Sequence, residues 1–357
     1  MKNFDIKKNI PAYIRNMESY QVGENISSDY IKLNSNENPY RIPKKIIKKV
    51  LKDLKDINFS LYPDDFSTQV RSKAGEVFGL KSENILVCNG SASILSLIFR
   101  LFVGNNSKVA LITPTFPYYN TLLKIQDANL VEFKWKKDFS LPLKEIRNTN
   151  FDILFLPNPN APTGHRVDIK SIEKLLKLGK IIVIDEAYYE FSGETCISLL
   201  SKYDNLIIVR TFSKSQSSAS LRIGFCLANK MIIENMDKIR PINNFNIISQ
   251  KLAYYILDNY SSFNENIRKI KKNRTFLEKE IRKRNFEVIK SYGNFILVKP
   301  LYKDSAFWYK KLKKRKILIR YFPKLDDFNL RISIGKRKDN KQLLNVIDTI
   351  FKFEEIK

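Results

Sequence analysis

The 357-residue sequence predicts an α/β fold with a second, smaller α+β domain at its C-terminal end. Short β-branched runs in the middle of the chain alternate with segments of helical character. Such runs, apolar on both faces and spaced by helix-length connections, are typical of a buried parallel or mixed sheet. Near residues 230–240 the alternation gives way to longer amphipathic helices and then to short strands. Because a chain of this length usually exceeds one hydrophobic core, we expect two domains.

The predicted elements follow the chain in order. Residues 1–40 show little periodicity and are expected to form an N-terminal arm that contributes to the small domain. A large domain over residues 41–240 has five predicted strands, which begin at Ile85, Lys108, Ile153, Ile181 and Leu206. The small domain over residues 241–357 has two predicted strands, which begin at Asn294 and Leu330. Before them, apolar residues at helical spacing predict an amphipathic helix: Ile267, Ile270, Leu277 and Ile281.

The composition is strongly basic. The sequence has 63 Lys and Arg against 37 Asp and Glu, a formal net charge of +26. The basic residues are spread along the chain and interleaved with apolar ones, so we expect them on the solvated faces of amphipathic helices. A basic nucleic-acid-binding protein is the lowest-ranked of three functional hypotheses, and it requires a clustered patch with salt-sensitive affinity. Locally, the charge favours anionic substrates.

The sequence predicts a cytoplasmic protein without a membrane partner. No apolar run approaches the roughly 18 residues that span a bilayer, and the first residues lack the apolar stretch of a signal peptide. Three cysteines, odd in number and embedded in apolar segments, suit a reducing compartment: Cys88, Cys196 and Cys226. No group of histidines, cysteines and carboxylates has metal-ligand spacing, so no metal is expected.

Polar residues follow the predicted strands, at the sheet edge where open α/β sheets bind ligands. After the strand at Ile85, the small-residue turn 89–93 opens an apolar helix. The free N–H groups of such a turn form an anion site, although Ser91 or Ser93 could simply cap the helix. After the strand at Ile153 comes the turn-rich loop NPNAPTG, residues 158–164, which could be no more than a chain reversal.

Two further strand ends carry charged residues. Asp185 ends the strand at Ile181, and a buried carboxylate needs a partner, so it is either a ligand-binding group or half of a structural ion pair. Lys214 follows the strand at Leu206, with Arg222 eight residues beyond it. A lysine among small hydroxyl residues near an apolar core is a candidate for Schiff-base chemistry, because burial lowers its pKa. The four features in this order favour one shared site.

Taken together, these residues resemble the fold-type I, pyridoxal 5′-phosphate (PLP)-dependent aminotransferases of class I/II, and most of all the histidinol-phosphate aminotransferase branch. The likeness extends over nearly the whole chain, through the segments ESYQ at Glu18, LNSNENPY at Leu33, YPD at Tyr62, NGSAS at Asn89, PTF at Pro114, NPNAPTG, DEAY, TFSK, LRIG, ILIR ending at Arg320 and LRISIG with Arg331. The resemblance implies a mixed, mainly parallel central sheet flanked by helices, PLP as cofactor, and a homodimer.

The resemblance also implies roles for individual residues. Lys214 would form the Schiff base with PLP and act as the general base. Asp185 would pair with the pyridinium nitrogen, and Tyr188 would hydrogen-bond the ring 3′ oxygen. The remaining implied cofactor-binding residues hold the phosphate, stack on the ring, bond its 3′ oxygen or, in the case of Tyr62, reach the partner subunit's phosphate: Ser91, Ala92, Phe116, Asn160, Thr211, Ser213, Arg222 and Tyr62.

The implied substrate-binding residues lie at the two ends of the chain. Arg320 and Arg331 would bind a carboxylate or phosphate, since two arginines suit a dianion bidentately. Tyr20 on the N-terminal arm would close over the site, and Asn38 would contact the substrate. The alternative for the two arginines is surface charge, the usual position of an arginine in so basic a chain.

Two segments depart from the family pattern. Ala161 stands where most members carry an Asn that bonds the ring 3′ oxygen, so either Asn160 substitutes or that bond is absent. Residues 215–220 lack the glycines usual between the lysine and the arginine. The single histidine, His165, is expected to be a loop residue without a catalytic role.

Three functions are therefore ranked. The first is a transaminase that uses L-glutamate or a similar donor and a phosphorylated acceptor, either of the histidinol-phosphate type or a smaller amino-alcohol phosphate. The second is a PLP-dependent decarboxylase of a phosphorylated amino acid such as O-phosphoserine or O-phosphothreonine. These two differ in which bond at Cα stands perpendicular to the cofactor ring, which the sequence does not fix. The third is the nucleic-acid-binding protein.

Overall fold

The computed structural model describes residues 5–20, 23–24, 29–325 and 327–353. Its strands are β1 (Ile31–Leu33), β2 (Ile85–Asn89), β3 (Lys108–Thr113), β4 (Asn129–Lys134), β5 (Ile153–Pro157), β6 (Ile181–Asp185), β7 (Leu206–Thr211), β8 (Ile223–Ala228), β9 (Phe286–Val288), β10 (Phe295–Pro300), β11 (Ile317–Tyr321) and β12 (Leu330–Ser333). Its helices are α1 (Ala12–Arg15), α2 (Lys44–Leu54), α3 (Thr68–Phe78), α4 (Gly90–Phe102), α5 (Tyr118–Ile125), α6 (Leu143–Arg147), α7 (Ile169–Leu176), α8 (Tyr189–Ser192), α9 (Lys230–Ile239), α10 (Ile247–Asp258), α11 (Asn264–Arg282), α12 (Ser305–Lys314) and α13 (Arg337–Phe353).

The larger sheet has seven strands in the order β2-β8-β7-β6-β5-β3-β4. Strands β7, β6, β5, β3 and β4 run parallel, and β8 is antiparallel to both of its neighbours. Both faces are buried: along β5, Leu154 and Leu156 belong to one hydrophobic core, whereas Ile153 and Phe155 belong to the core on the opposite face. The predicted α/β class and the mixed, mainly parallel sheet are thus confirmed.

The smaller sheet has five strands in the order β1-β11-β12-β10-β9. Strand β1, from the N-terminal segment, pairs parallel with β11, and the other pairs are antiparallel. A third core forms between this sheet and the long helices, and it includes Leu277 and Ile281 of α11 together with Trp308 of α12. The apolar spacing that predicts a helix near Arg268 therefore marks the buried face of α11.

Helix ends near the sheet edges are fixed by local capping. The side chain of Asp168 accepts a hydrogen bond from the Ser171 backbone N–H (2.9 Å) at the start of α7, and Asp304 does the same for Phe307 (2.7 Å) at the start of α12. Each such cap contributes about 1 kcal/mol. No helix of the described residues is long and apolar enough to cross a membrane.

Helices α10 and α11 connect the larger sheet to the smaller one, and their apolar residues pack in the cores of both sheets. Helix α10 buries Leu252, Ala253 and Ile256 in one core of the larger sheet, and α11 then leads into the core of the smaller sheet. Ile267 at the start of α11 contacts both cores. The domain bounds at residues 40 and 240 stay a prediction.

Candidate active site

Asp185 lies at the C-terminal end of β6 with 5% of its surface exposed. Its Oδ2 accepts a hydrogen bond from the Tyr119 hydroxyl (3.2 Å), and its Oδ1 accepts one from the Ala187 N–H (3.1 Å). Burial raises the pKa of this carboxyl group to about 6, although both hydrogen bonds oppose the shift. Asp185 has no ion pair within the described residues, so the site has a buried carboxylate that suits a cationic ring nitrogen.

Lys214 follows β7 and points its amino group toward the N-terminal segment. Its Nζ donates to the Ser35 carbonyl oxygen (3.2 Å) and lies 5.8 Å from the centre of the Tyr188 ring. The Asn38 side chain donates to the carbonyl oxygens of Lys214 (2.9 Å) and Ser215 (3.1 Å). These two bonds hold the backbone directly after the Lys214 side chain. The structure therefore brings Lys214, Tyr188 and Asn38 together.

A cradle for an anion forms where α4 begins beside β8. Gly90, with φ of +81°, lies against the Arg222 guanidinium so closely that a Cβ there would overlap it. A Cβ on Gly224 would likewise collide with the Gly90 backbone and the Ser91 nitrogen. Gly90 thus leaves room for the guanidinium at the first turn of a 13-residue helix, and Gly224 lets β8 pack closely against that same turn.

Hydroxyl groups complete this cradle. The Thr211 hydroxyl donates to Ser213 Oγ (2.9 Å), and Arg222 Nη1 approaches the same oxygen at 3.4 Å. Arg222 has no ion pair within the described part of the chain. A guanidinium without an ion pair, two hydroxyls and the N–H groups near Ser91 and Ala92 suit a phosphate dianion. Together with the unpaired Asp185, the cradle fits both ends of PLP.

Two arginines from the smaller sheet are cross-strand neighbours, since Arg320 of β11 is paired with Arg331 of β12. Arg331 Nη2 donates to the Asn34 carbonyl oxygen (3.2 Å), while its buried Nε has no hydrogen-bond partner. Its guanidinium lies 5.3 Å from the centres of the Phe295 and Phe322 rings. Burial lowers the pKa of Arg331, and Arg320 adds to that shift. Two adjacent cations in partly buried surroundings favour an anionic ligand over the surface-charge alternative.

An aromatic wall connects the N-terminal arm to the site. The Tyr20 ring meets the rings of Phe116 and Tyr118 edge to face, with centroid distances of 6.4 and 5.6 Å. Partial burial raises the pKa of Tyr20, whereas the charges of Arg320 and Arg331 oppose this shift. Tyr20 therefore lies within the electrostatic reach of both arginines, and Phe116 lies in the same wall.

Comparison with known proteins identifies the family of the chain. The family model for aminotransferases of class I and II matches residues 28–347. The chain belongs to the class I and II aminotransferases. It is 38% identical over 327 residues to the histidinol-phosphate aminotransferase of Rippkaea orientalis, covering 91% of this chain and 93% of that protein.

Solved aminotransferase structures share the fold. The histidinol-phosphate aminotransferase of Clostridium acetobutylicum superposes with a TM-score of 0.84 at 26% identity, over 90% of this chain and 99% of the other. The L-threonine-O-3-phosphate decarboxylase of Porphyromonas gingivalis superposes with a TM-score of 0.80 at 23% identity, over 90% and 99% of the two chains, and this likeness shows the fold alone.

Membership of this aminotransferase family confirms the predicted fold type, activity and cofactor, PLP. The decarboxylase alternative is not favoured, because relatives with 33–38% identity over most of the chain are named histidinol-phosphate aminotransferases. The individual residue roles stay predictions, as do the oligomeric state and the donor and acceptor.

The loop after β5 carries Ala161 where the resemblance implies an Asn donor. Both side-chain N–H groups of Asn160 are already used, by the Pro114 carbonyl oxygen (3.0 Å) and by Thr163 Oγ1 (2.6 Å). Its Oδ1 is buried without a partner. Asn160 could replace the donor missing at Ala161 only if one of these bonds broke, so its predicted contact with the ring 3′ oxygen requires a rearrangement.

Residues 215–220, which lack glycine, include one residue in the left-handed backbone conformation. Ser217, in the stretch that lacks glycine, adopts a φ of +58°, a conformation for which glycine is usual. His165 lies in a loop, as predicted, but it is buried between Trp135 and Phe139 with Nδ1 2.7 Å from Thr163 Oγ1. Burial lowers the pKa of His165 to about 3, so the imidazole is neutral.

Sequence reasoning missed three contributors to the site. Tyr119 bonds Asp185, the Asn36 side chain donates to the Tyr188 hydroxyl (3.0 Å), and the Ser35 carbonyl accepts from Lys214. Asn36 and Ser35 lie within the segment LNSNENPY, whose likeness to the family could have indicated them. Tyr119 lies in an amphipathic helix, and nothing in the local sequence distinguishes it from a core residue.

Proposed function

We propose that this aminotransferase moves the amino group of an amino acid, with L-glutamate as donor, to a small keto or aldehyde acceptor that bears a phosphate, of the histidinol-phosphate type. The observation that carries the proposal is the neighbouring pair Arg320 and Arg331 next to Tyr20. Charge-assisted bidentate bonds from two guanidinium groups match a phosphate dianion better than a neutral side chain. The names of the relatives support the same substrate class.

Residue roles follow from the positions described above. PLP, when bound, supplies an aldehyde for a lysine and a ring that accepts electrons from the substrate Cα. Lys214 Nζ would bind that aldehyde and later carry the α proton, since it is the amino group beside Tyr188. Asp185 would keep the ring nitrogen protonated. That pairing would restore the charged form of a carboxyl group whose pKa burial otherwise raises.

Other residues of the site would hold the cofactor phosphate, the cofactor ring and the substrate. The first turn of α4, with Ser91 and Ala92, and the side chains of Thr211, Ser213 and Arg222 would hold the cofactor phosphate. Phe116 would cover the ring face. Arg320, Arg331 and Tyr20 would enclose the substrate phosphate, and Asn38 would act on the substrate through the Lys214 backbone that it holds.

A homodimer completes the proposal. Tyr62 has 85% of its surface exposed, and apolar neighbours on the same surface are exposed as well: Phe59, Leu61, Phe66 and Ile242. The two segments that carry them are adjacent, because Asp65 accepts hydrogen bonds from Arg240 and from the Asn243 N–H. An apolar patch of this kind is typical of an interface, and it would place Tyr62 against the second subunit.

A cytoplasmic location is also part of the proposal, and it is supported by three cysteines that are all free and buried: Cys88, Cys196 and Cys226. Burial raises the pKa of each thiol, to about 12 for Cys88. Unpaired, unreactive cysteines suit a reducing compartment.

The test starts from the purified protein loaded with PLP. Excess L-glutamate should convert the visible absorption band of the bound cofactor and release stoichiometric 2-oxoglutarate without carbon dioxide. In the reverse direction, histidinol phosphate plus 2-oxoglutarate should yield glutamate with a kcat/KM at least about 100-fold above that of phosphate-free histidinol, since charge-assisted bonds contribute about 1.5–3 kcal/mol each.

Other outcomes of this test would overturn parts of the proposal. Equal rates for histidinol phosphate and histidinol would remove the phosphate assignment of Arg320 and Arg331. A preference for a smaller amino-alcohol phosphate would change the acceptor and keep the phosphate. Carbon dioxide release from a phosphorylated amino acid, with no 2-oxoglutarate from glutamate, would replace the transaminase by the decarboxylase.

A further inference from the structure

Residues 34–38, here the 34–38 segment, connect the smaller sheet to the candidate catalytic groups. The segment directly follows β1. Its contacts reach residues predicted for substrate or cofactor: the Asn34 carbonyl accepts from Arg331, the Ser35 carbonyl accepts from Lys214, the Asn36 side chain donates to Tyr188, and the Asn38 side chain donates to the Lys214 carbonyl. One short segment therefore contacts three of the side chains that the proposed function uses, Arg331, Lys214 and Tyr188.

Asn36 is the most constrained residue of the 34–38 segment. It is 1% exposed and adopts a φ of +52°. The Ser333 hydroxyl donates to Asn36 Oδ1 (3.0 Å) and accepts from the Asn36 N–H (2.8 Å), while Asn294 Nδ2 donates to the Asn36 carbonyl (2.9 Å). With its carbonyl end held by Ser333, the Asn36 amide group turns Nδ2 toward the Tyr188 hydroxyl.

This contact determines what the Tyr188 hydroxyl can do. Its oxygen accepts the Asn36 bond at 3.0 Å, so its own proton must point elsewhere. Within the described residues no acceptor takes that proton. The Tyr188 ring is held edge to face against Phe295, with centroids 5.1 Å apart, so the hydroxyl has one position and one free donor direction.

The loop after β5 makes that donor more valuable in this chain. Ala161 has no side-chain donor, and both N–H groups of Asn160 are bound to Pro114 and Thr163. The amide donor that the resemblance implies at position 161 is therefore missing, and Tyr188 is left to bond the ring 3′ oxygen.

We propose that Asn36 is a positioning residue that holds the Tyr188 O–H as a donor to the PLP 3′ oxygen and so compensates for the amide donor missing at Ala161. The inference rests on the proposed function for the cofactor site. A bond donated to this oxygen stabilises its negative charge, which is exposed when the Schiff-base nitrogen is deprotonated. Asn36 thus favours the deprotonated form of the lysine–cofactor link.

The first test is Asn36→Ala in the PLP-loaded enzyme without substrate. The pH dependence of the visible absorption band should show the pKa of the lysine–cofactor link raised by about half a unit, against about one unit for Tyr188→Phe. The thermal midpoint of both variants without PLP serves as the folding control. An equal pKa in Asn36→Ala and wild type would overturn the proposal, and a lowered pKa would mean that Tyr188 donates to Asn36 instead.

The second test asks whether Asn36 acts through Tyr188. In a double-mutant cycle, Asn36→Ala should raise the pKa in the wild-type background and leave it unchanged in the Tyr188→Phe background. Equal shifts in both backgrounds would assign Asn36 a purely structural role. Should either variant fail to fold, Ser333→Ala, which removes the group that orients the Asn36 amide, should reproduce part of the shift.

The third test restores the missing donor with Ala161→Asn. This variant should lower the pKa of the link and reduce the effect of Asn36→Ala by at least half; an undiminished effect would remove the compensation from the proposal. These measurements separate two failures. Absence of the visible band in the wild-type protein with PLP would refute the proposed function, whereas unshifted pKa values in an active enzyme would refute only the role of Asn36.

Discussion

Asp185 and Glu186 are consecutive buried carboxylates at the C-terminal end of β6, and they have different partners. Glu186 Oε2 accepts hydrogen bonds from Arg210 Nε (3.0 Å) and Nη2 (2.9 Å), and the Cys196 N–H donates to its Oε1 (2.6 Å). Asp185 accepts hydrogen bonds from the Tyr119 hydroxyl and the Ala187 N–H, and it has no ion pair among the described residues. The fold neutralises Glu186 internally and leaves Asp185 without an ion pair, as the proposed cofactor contact requires.

The difference shows that burial alone does not identify a functional carboxylate. Both residues are at most 5% exposed. An ion pair supplied by the chain distinguishes the structural Glu186 from Asp185, the carboxylate proposed to bind the cofactor. Four changes can break or sharpen this comparison, and they are ordered by expected effect.

Lys214→Ala should have the largest effect, because it removes the amino group that binds the cofactor aldehyde. We expect turnover and the visible absorption of the PLP-loaded protein to disappear, while the free energy of unfolding without PLP changes by less than about 1 kcal/mol, as for a half-buried lysine with one hydrogen bond. Absorption spectra and urea unfolding measure the two quantities. An unchanged spectrum would contradict the assignment of Lys214.

Arg210→Met tests the structural carboxylate. It leaves Glu186 buried without its cation, so the free energy of unfolding should fall by about 3–5 kcal/mol in urea titrations. The matched control is Lys230→Ala, which removes an exposed partner of Glu83 and should cost at most about 1 kcal/mol. Equal losses in the two variants would show that the Glu186–Arg210 pair is no more important than a surface pair.

Asp185→Asn tests the ligand-binding carboxylate and should have the opposite sign. The folded pKa of Asp185, about 6, lies above its ordinary value of 3.8, so ionised Asp185 destabilises the fold. The penalty is absent below pH 4, grows between pH 4 and 6, and is constant above pH 6. Without PLP, Asp185→Asn should therefore stabilise the protein by about 3 kcal/mol at pH 8 and leave it unchanged near pH 4.

The same variant should bind PLP more weakly and lose most turnover, because the ring nitrogen loses its partner. Urea unfolding at pH 4 and pH 8, with PLP absorbance as the second readout, decides the outcome. Destabilisation at pH 8 would mean that Asp185 has a structural partner in the folded chain, like Glu186.

Arg331→Ala should have the smallest effect of the four on the cofactor site. We expect KM for the phosphorylated substrate to rise about 10–100-fold, as a charge-assisted bond worth about 1.5–3 kcal/mol is lost. The PLP content should not change. Equal loss of substrate affinity and PLP content would show that Arg331 maintains the fold by bonding Asn34, in the way that Arg210 does by bonding Glu186.

The sequence predicted the groups that lie directly at strand ends. Asp185 and Lys214 follow buried runs, and parallel strands place their ends along one edge of a sheet. Neighbours contributed by distant elements were not predictable, because nothing local records them. Tyr119 reaches Asp185 across 66 residues of sequence, and Asn36 reaches Tyr188 across 152.

The sequence also did not predict the hydrogen-bond partners of Asn160 or the strand with which β1 pairs. The sequence identified the turn that contains Asn160. The acceptors of its two N–H groups depend on how that loop folds against Pro114 and Thr163. The parallel pairing of β1 with β11 joins segments almost 300 residues apart, and short strands carry too little pattern to specify a partner.

The three buried thiols have a practical consequence for spectroscopic labelling. Because Cys88, Cys196 and Cys226 are buried and their pKa values are raised, they should not react with maleimide reagents in the native protein. A single cysteine introduced at Tyr62 would then carry a spin label without any background from the wild-type chain. Electron paramagnetic resonance on that label would report the separation of two subunits across the exposed apolar surface.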